Sequence, residues 1–170
     1  MSHSNLLNQF QYLFDQQAKP ILDLACGAGR NGLYLHVQGF PVQFADKNSL
    51  SLAKLQGQHN IHADDCKHVD FETGKQQLMA NSYQAIVVFR YLHRPLLKQI
   101  KAAIEPGGVI IYETFTTENR VFGRPNRADF LLKKNELKEI FHNWKCLFYF
   151  EGVKHNPDRA IAQIVCQKPN

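Results

Sequence analysis

The sequence predicts an α/β fold built on a mostly parallel sheet, and three observations carry that prediction. Short apolar runs of strand length alternate with helix-period segments along most of the chain. The first strand-like run ends in a glycine-rich turn that leads straight into a helical segment. The last two runs, WKCLFYFEGV and AIAQIVCQK, are joined by a polar loop holding Asn156 and Pro157, the pattern of a closing antiparallel pair.

Taken in order, Leu6, Leu7, Phe10, Leu13 and Phe14 fall on one helical face. A helix there caps the edge of the sheet, or also covers a bound ligand. Short buried strands are read from ILDLA, PVQFAD, NIHADD, QAIVVF and GGVIIYETF. Helical patterns lie between them: Arg30 to Gln38, Ser49 to Leu55, a weak one around Gly74 to Ala80, and Pro95 to Ile104. Pro95 suits a first helical turn, where its missing N–H has no partner to lose. EPGG, Glu105 to Gly108, supplies a turn before the fifth strand. The polar stretch TTENRVFGRPNRAD is too long for a tight connection, and long loops in compact domains are often functional lids; whether this one is a lid is left open by the sequence, and LLKKNELKEIF reads as an amphipathic helix.

At 170 residues the chain is expected to form one domain, residues 1–170. A domain of that size buries roughly 70% of the surface its unfolded chain exposes. The apolar fraction of 44% and charged fraction of 21% exclude the disordered and membrane-embedded classes. No apolar run approaches the roughly 18 residues of a membrane span. The start, MSHSNLLNQF, lacks the basic flank and continuous apolar segment of a signal peptide, so a cytoplasmic protein is expected. Cys26, Cys66, Cys146 and Cys166 show no Cys-x-x-Cys spacing and are expected to be reduced. His59, His62 and Cys66 are close in sequence, but a strand leading into a loop need not make them converge, and no metal is expected. The net charge of +5 favours anionic partners, while the basic residues form no long run, so RNA binding stays open.

The chemistry concentrates in ILDLACGAGRNG. Gly27, Gly29 and Gly32 form a Gly-x-Gly-x-x-Gly, and Asp46 follows roughly 20 residues on, the spacing of a dinucleotide-binding turn. Such a turn aims free helix N–H groups at a ligand. Asp23 decides between ligands: a carboxylate beside the turn would repel a pyrophosphate, whereas it suits the ammonium of S-adenosylmethionine, which has no phosphate.

The motif D-x-A-C-G-x-G-R at Asp23 to Arg30, together with Asp46, Asp64 and Asp65, and PGG before the fifth strand, resembles the class I, seven-stranded S-adenosylmethionine-dependent methyltransferases. The resemblance covers nearly the whole chain and implies a Rossmann-like, doubly wound, mostly parallel seven-stranded sheet with an antiparallel C-terminal strand pair. GRNGLYL, FRYLHRPLL and ETF…GRP…FLL…EL are similar to small bacterial enzymes near the tellurite-resistance and thiopurine methyltransferases. The resemblance implies that Asp46 accepts from the ribose hydroxyls and that Lys47 borders the adenine. Asp64 or Asp65 would accept from the adenine amino group. Ala25, Cys26 and Gly27 would line the bend by backbone, Asp23 would face the ammonium, and Arg30 would pair with the methionine carboxylate.

Transfer from a sulfonium is an in-line displacement that needs mainly alignment, worth roughly 7 to 11 kcal/mol. The end of the fourth strand presents Phe89, Arg90, Tyr91, His93 and Arg94 to the crevice. Phe89 would offer an aromatic face to the sulfonium. His93 would act as general base, or fix the turn; Tyr91 would orient substrate, or pack. Glu113 is a substrate contact or satisfies local backbone, and Arg120, Arg124 and Arg127 attract an anion or are simply solvated. The expected function is methyl transfer to a small-molecule nucleophile. The alternatives are an RNA methyltransferase, with adenine-N6 chemistry disfavoured because FRYLHRP replaces the Asn/Asp-Pro-Pro-Tyr/Phe tetrad, or a non-catalytic S-adenosylmethionine-binding partner subunit.

Overall fold

The computed structural model describes residues 3–170. Its strands are β1 (Ile21–Leu24), β2 (Val42–Asp46), β3 (Cys66–His68), β4 (Tyr83–Phe89), β5 (Ile104–Phe115), β6 (Lys145–Lys154) and β7 (Arg159–Gln167). They form one seven-stranded sheet in the order β3-β2-β1-β4-β5-β7-β6. Pairing is parallel from β3 through β5. It is antiparallel for β7 on β5 and for β6 on β7. This is the doubly wound architecture with a closing antiparallel pair that the sequence predicts. The order reverses beside β1, where β2 lies on one side and β4 on the other, and such a switch opens a crevice at the strand C-termini.

Among the described residues the α-helices are α1 (Asn5–Phe10), α2 (Arg30–Val37), α3 (Ser49–His59), α4 (Leu97–Ala103) and α5 (Glu136–Ile140). β1 and β4 sit mid-sheet and are apolar almost throughout because both of their faces are covered. Alternate residues feed two cores. Ala85, Val87 and Phe89 join Leu6, Leu7, Leu35, Leu52 and Leu55 under α1, α2 and α3. Ile86 and Val88 join Ile100, Tyr112, Leu137 and Trp144 under α4 and α5. Fully burying a Val, Leu or Ile side chain of this kind stabilises the fold by about 1.5 to 3 kcal/mol. Leu6 and Leu7 of α1 are buried, and Phe10 reaches Phe148 of β6 with ring centroids 5.6 Å apart, so the helix packs on one face of the sheet.

α2 packs on the sheet through Gly32, which leaves no room for a side chain. A Cβ at that position would meet Phe44 Cε1 at 2.4 Å and Asp23 Oδ2 at 2.8 Å. Gly32→Ala is therefore expected to destabilise the protein by roughly 1 to 3 kcal/mol through overpacking. Urea unfolding measures it; an unchanged midpoint would show that α2 can lift without penalty.

Several elements depart from the sequence reading, and EPGG, read as a turn before the fifth strand, lies inside β5. NIHADD is not a strand: Ala63–Asp65 is a 3-10 turn capped by the His62 side chain, and the third strand is the short Cys66–His68 that follows. Gly74 to Ala80 is not helical, because Gly74 takes φ +68° after a 3-10 turn at Phe71–Thr73 and a left-handed residue ends rather than starts a helix. The long segment between β5 and α5 contains two 3-10 turns, Thr117–Val121 and Ala128–Phe130, with Leu131 and Leu132 fully buried. Arg94 pins that segment. Its guanidinium pairs with both oxygens of Glu136 at 2.7 and 2.8 Å, and Nη2 also donates to the Leu131 carbonyl at 2.9 Å. Among the described residues no helix is long and apolar enough to cross a membrane.

Candidate active site

Between β1 and α2 the chain coils through residues of positive φ, with Ala25 at 54°, Gly27 at 55° and Gly29 at 71°. Gly27 faces open space, with no heavy atom within 4 Å of where a Cβ would sit. Asp46, the last residue of β2, holds the coil. Its Oδ2 accepts from the Gly27 N–H at 2.7 Å and its Oδ1 accepts from the Asn48 N–H at 2.8 Å. Each oxygen keeps a further lone pair for a ligand hydroxyl.

Beside this carboxylate opens a cleft of about 480 Å³, within the range of small-molecule sites. Ala25, Asp46, Lys47, Asp70, Tyr91 and Phe130 are among its lining residues, and Val69, Phe71, Leu92 and Phe115 give it apolar walls. Lys47 is exposed and ion-paired with Glu72 at 3.0 Å, and that partner holds its ammonium above the usual range. Tyr91 is half-buried; burial, with Glu72, Asp70 and Asp46 nearby, pushes its phenol up, so it is neutral. Its carbonyl accepts from the Tyr112 hydroxyl at 2.9 Å.

A second cavity, of about 630 Å³, adjoins the first at Arg90, which lines both. Arg30, Lys154, His155, Arg159 and Glu113 line the rest, with the start of α1 closing one side. Four full cations thus face one carboxylate. Burial, then the charges of Arg30 and Arg159 against the opposing pull of Glu113, draw the Arg90 guanidinium below its usual range. Arg90 also sits at φ +59°, a backbone state that a non-glycine residue adopts at a cost of about 1 to 2 kcal/mol. Its N–H donates to the Glu113 carbonyl at 2.8 Å, which fixes the bend. The Glu113 carboxylate is buried and accepts from Gln163 Nε2 at 2.6 Å and from Ser4 Oγ at 3.4 Å. Arg159 donates from Nη1 to the Pro157 carbonyl at 2.8 Å, while its Nε is buried with no hydrogen-bond partner among the described residues.

Several sequence-predicted residues lie elsewhere. Asp23 is 2% exposed and accepts from the Gly32 N–H at 2.8 Å; it ties α2 to β1 beneath the helix and is not on the cleft wall. Asp64 and Asp65 precede β3 and so stand at the end of the sheet away from the cleft, with the Asp64 side chain 89% exposed. The acids that follow β3 into the cleft are Asp70 and Glu72, of which Glu72 is paired with Lys47. Phe89 belongs to the core under α1, α2 and α3, because its position alternates with the cleft-side residues. His93 opens the 3-10 turn before α4 through its carbonyl and lines neither cavity. Arg30 faces the cationic cavity rather than the cleft. Cys26 is half-buried, and burial beside Asp23 and Asp46 pushes its thiol far up, leaving it protonated. Arg127 pairs with Asp129 at 3.0 Å and Arg120 donates to the Asn126 carbonyl at 3.2 Å; from their loop it is Pro125 and Phe130 that reach the cleft. Among the described residues no group of three His, Cys, Asp or Glu side chains is placed to hold a metal ion.

Comparison with known proteins places this geometry in a family. A probable S-adenosyl-L-methionine-dependent methyltransferase TehB from Haemophilus influenzae is 31% identical over 148 residues, which are 81% of this chain and 51% of that protein. Hemagglutinin 1 from Eikenella corrodens is 27% identical over 142 residues, 78% of this chain and 46% of that protein. The chain thus spans about half the length of these relatives. The crystal structure of TehB from Haemophilus influenzae superposes with a TM-score of 0.74 at 24% identity, covering 98% of this chain and 62% of that one. A SAM-dependent methyltransferase from Methanosarcina mazei gives 0.75 at 12% identity, covering 99% of both chains. The family model described as tellurite resistance protein TehB matches residues 2–164, and the chain belongs to that family.

Proposed function

We propose that the chain is an S-adenosylmethionine-dependent methyltransferase whose acceptor is a small anion, a chalcogen oxyanion such as tellurite being the class that the family description suggests. The observation that carries this reading is the pair of cavities meeting at Arg90, one headed by Asp46 and the other crowded with cations. The residues fit the cofactor. Asp46 would accept from the ribose diol with the lone pairs its backbone partners leave, and Asp70 would accept from the adenine amino group above the apolar floor of Val69 and Phe71. When bound, S-adenosylmethionine supplies a methyl group on a sulfonium, which a nucleophile takes by in-line displacement. The chain's own task is to align the acceptor and neutralise it.

Arg159 is suited to that task, since an anion in the cavity would satisfy its buried Nε. Arg30, Arg90 and Lys154 would add charge, and Glu113 opposite them would disfavour deeper entry. An oxyanion already carries its lone pair, so no general base is required and the position of His93 outside both cavities is no obstacle. A protic acceptor would instead find the His155 imidazole, which bonds Asp158 at 2.8 Å.

The test is transfer from methyl-labelled S-adenosylmethionine to tellurite, selenite, small thiols and total RNA. Label in a small anion is expected; label in RNA alone would overturn the acceptor class. Arg159→Ala should raise the acceptor KM about 10- to 100-fold, the loss of one charged hydrogen bond, with unchanged affinity for S-adenosylhomocysteine. A loss of cofactor affinity with unaltered acceptor KM would move Arg159 out of the acceptor site.

A further inference from the structure

Away from both cavities, β6 and β7 place Cys146 directly opposite Cys166. Opposed residues of antiparallel strands have Cα atoms about 4.5 to 5.5 Å apart and project side chains from the same face. That lies within the roughly 4.4 to 6.8 Å that a disulfide spans. Both are free thiols, and the two side chains are within hydrogen-bonding reach of each other. Their exposures differ sharply. Cys146 is exposed on the edge strand, whereas Cys166 is fully buried in the core under α4 and α5. The ladder slips between Cys146 and Phe148, so this end of the edge strand carries a bulge with room to adjust. On its other side Cys166 pairs with Ile110, midway along β5.

The other two cysteines have no such geometry. Cys66 lies on β3 and Cys26 just beyond β1, with β2 between them, so their backbones are about two strand spacings, roughly 9.5 Å, apart.

We propose that Cys146 and Cys166 are a reversible thiol–disulfide pair, oxidised by a low-molecular-weight disulfide of the glutathione class and closing a staple between the edge strand and the sheet. Cys146, the accessible thiol, loses its proton to solvent and attacks one sulfur of the oxidant; a mixed disulfide forms and one small thiol leaves. Cys166 then gives up its proton and attacks the Cys146 sulfur, releasing the second small thiol. The two protein thiols lose two electrons and two protons, and the oxidant gains both as two thiols. Burial pushes the Cys166 thiol up to about 12, so closure at neutral pH is slow and runs over minutes to hours.

The experiment equilibrates the full chain in glutathione buffers from fully reduced to fully oxidised, alkylates the remaining thiols and maps peptides by mass spectrometry. Expected is joint loss of both thiols with a linked peptide, reversal by dithiothreitol, and Cys26 and Cys66 still alkylated. The linked form should melt about 6 to 12 °C higher, as closure of a loop this long implies. Cys166→Ala should trap glutathione on Cys146, and Cys146→Ser, an exposed change that leaves the core intact, should keep Cys166 reduced. A wild-type protein that holds only the mixed disulfide, that shows no linked peptide at the most oxidising ratio, or whose linked form melts no higher than the reduced one, would overturn the proposal.

Discussion

Asp46→Asn is expected to weaken binding of S-adenosylhomocysteine by about 100-fold or more, although it changes one atom. Both carboxylate oxygens already accept a backbone N–H, one from Gly27 and one from Asn48. An amide has a single oxygen. Whichever way it flips, its NH2 faces one of those N–H groups, donor against donor, and either the glycine coil or the entry to α3 is pushed away. The variant also removes the negative charge from two bonds, each of which contributes about 1.5 to 3 kcal/mol when the acceptor is charged. Calorimetry with S-adenosylhomocysteine measures the loss, with circular dichroism to confirm that the fold persists. Unchanged affinity would remove Asp46 from the ribose role and with it the placement of the cofactor in this cleft.

The glycine turn and Asp46 were legible because a strand, turn, helix and strand have nearly fixed lengths, so spacing alone locates the next strand's tip. Asp70 was not. Its strand is only three residues long, and the more strand-like NIHADD ahead of it is stabilised as a turn by a local bond, the His62 side chain accepting from the Asp64 N–H at 3.3 Å. Phe89 and Asp23 stand near the strand ends that border the cleft, but the period of two turns both side chains away from it. Ile21 and Ala85 belong to the α2-side core, so Asp23 and Phe89, an even number of residues on, must point the same way. That signal was in the sequence. The cationic cavity was not, because it gathers Arg30 from the start of α2, Arg90 from the tip of β4 and Arg159 from the start of β7. Only the sheet order brings together residues so far apart in the chain.

Asp23→Asn is expected to alter stability in a pH-dependent way that no exposed acid would reproduce. Burial lifts the Asp23 carboxyl from 3.8 to about 7, the Gly32 N–H opposing that rise and the charge of Asp46 adding to it. Between those values the folded protein holds a proton that the unfolded chain has released, so its stability falls as pH rises. The contribution is fully present below about pH 4 and is lost as pH passes through about 7. Asparagine does not titrate, and its side-chain oxygen can still accept from the Gly32 N–H. The cofactor-free variant should therefore gain on the parent by about 2 to 3 kcal/mol between pH 5 and pH 8, measured as the difference between their urea unfolding free energies. Asp46→Asn should narrow the same window, since it deletes one of the charges that raise Asp23. A gap between Asp23→Asn and the parent that stays constant with pH would mean that Asp23 is already ionised in the fold, and that α2 rests on a buried carboxylate rather than on a neutral acid.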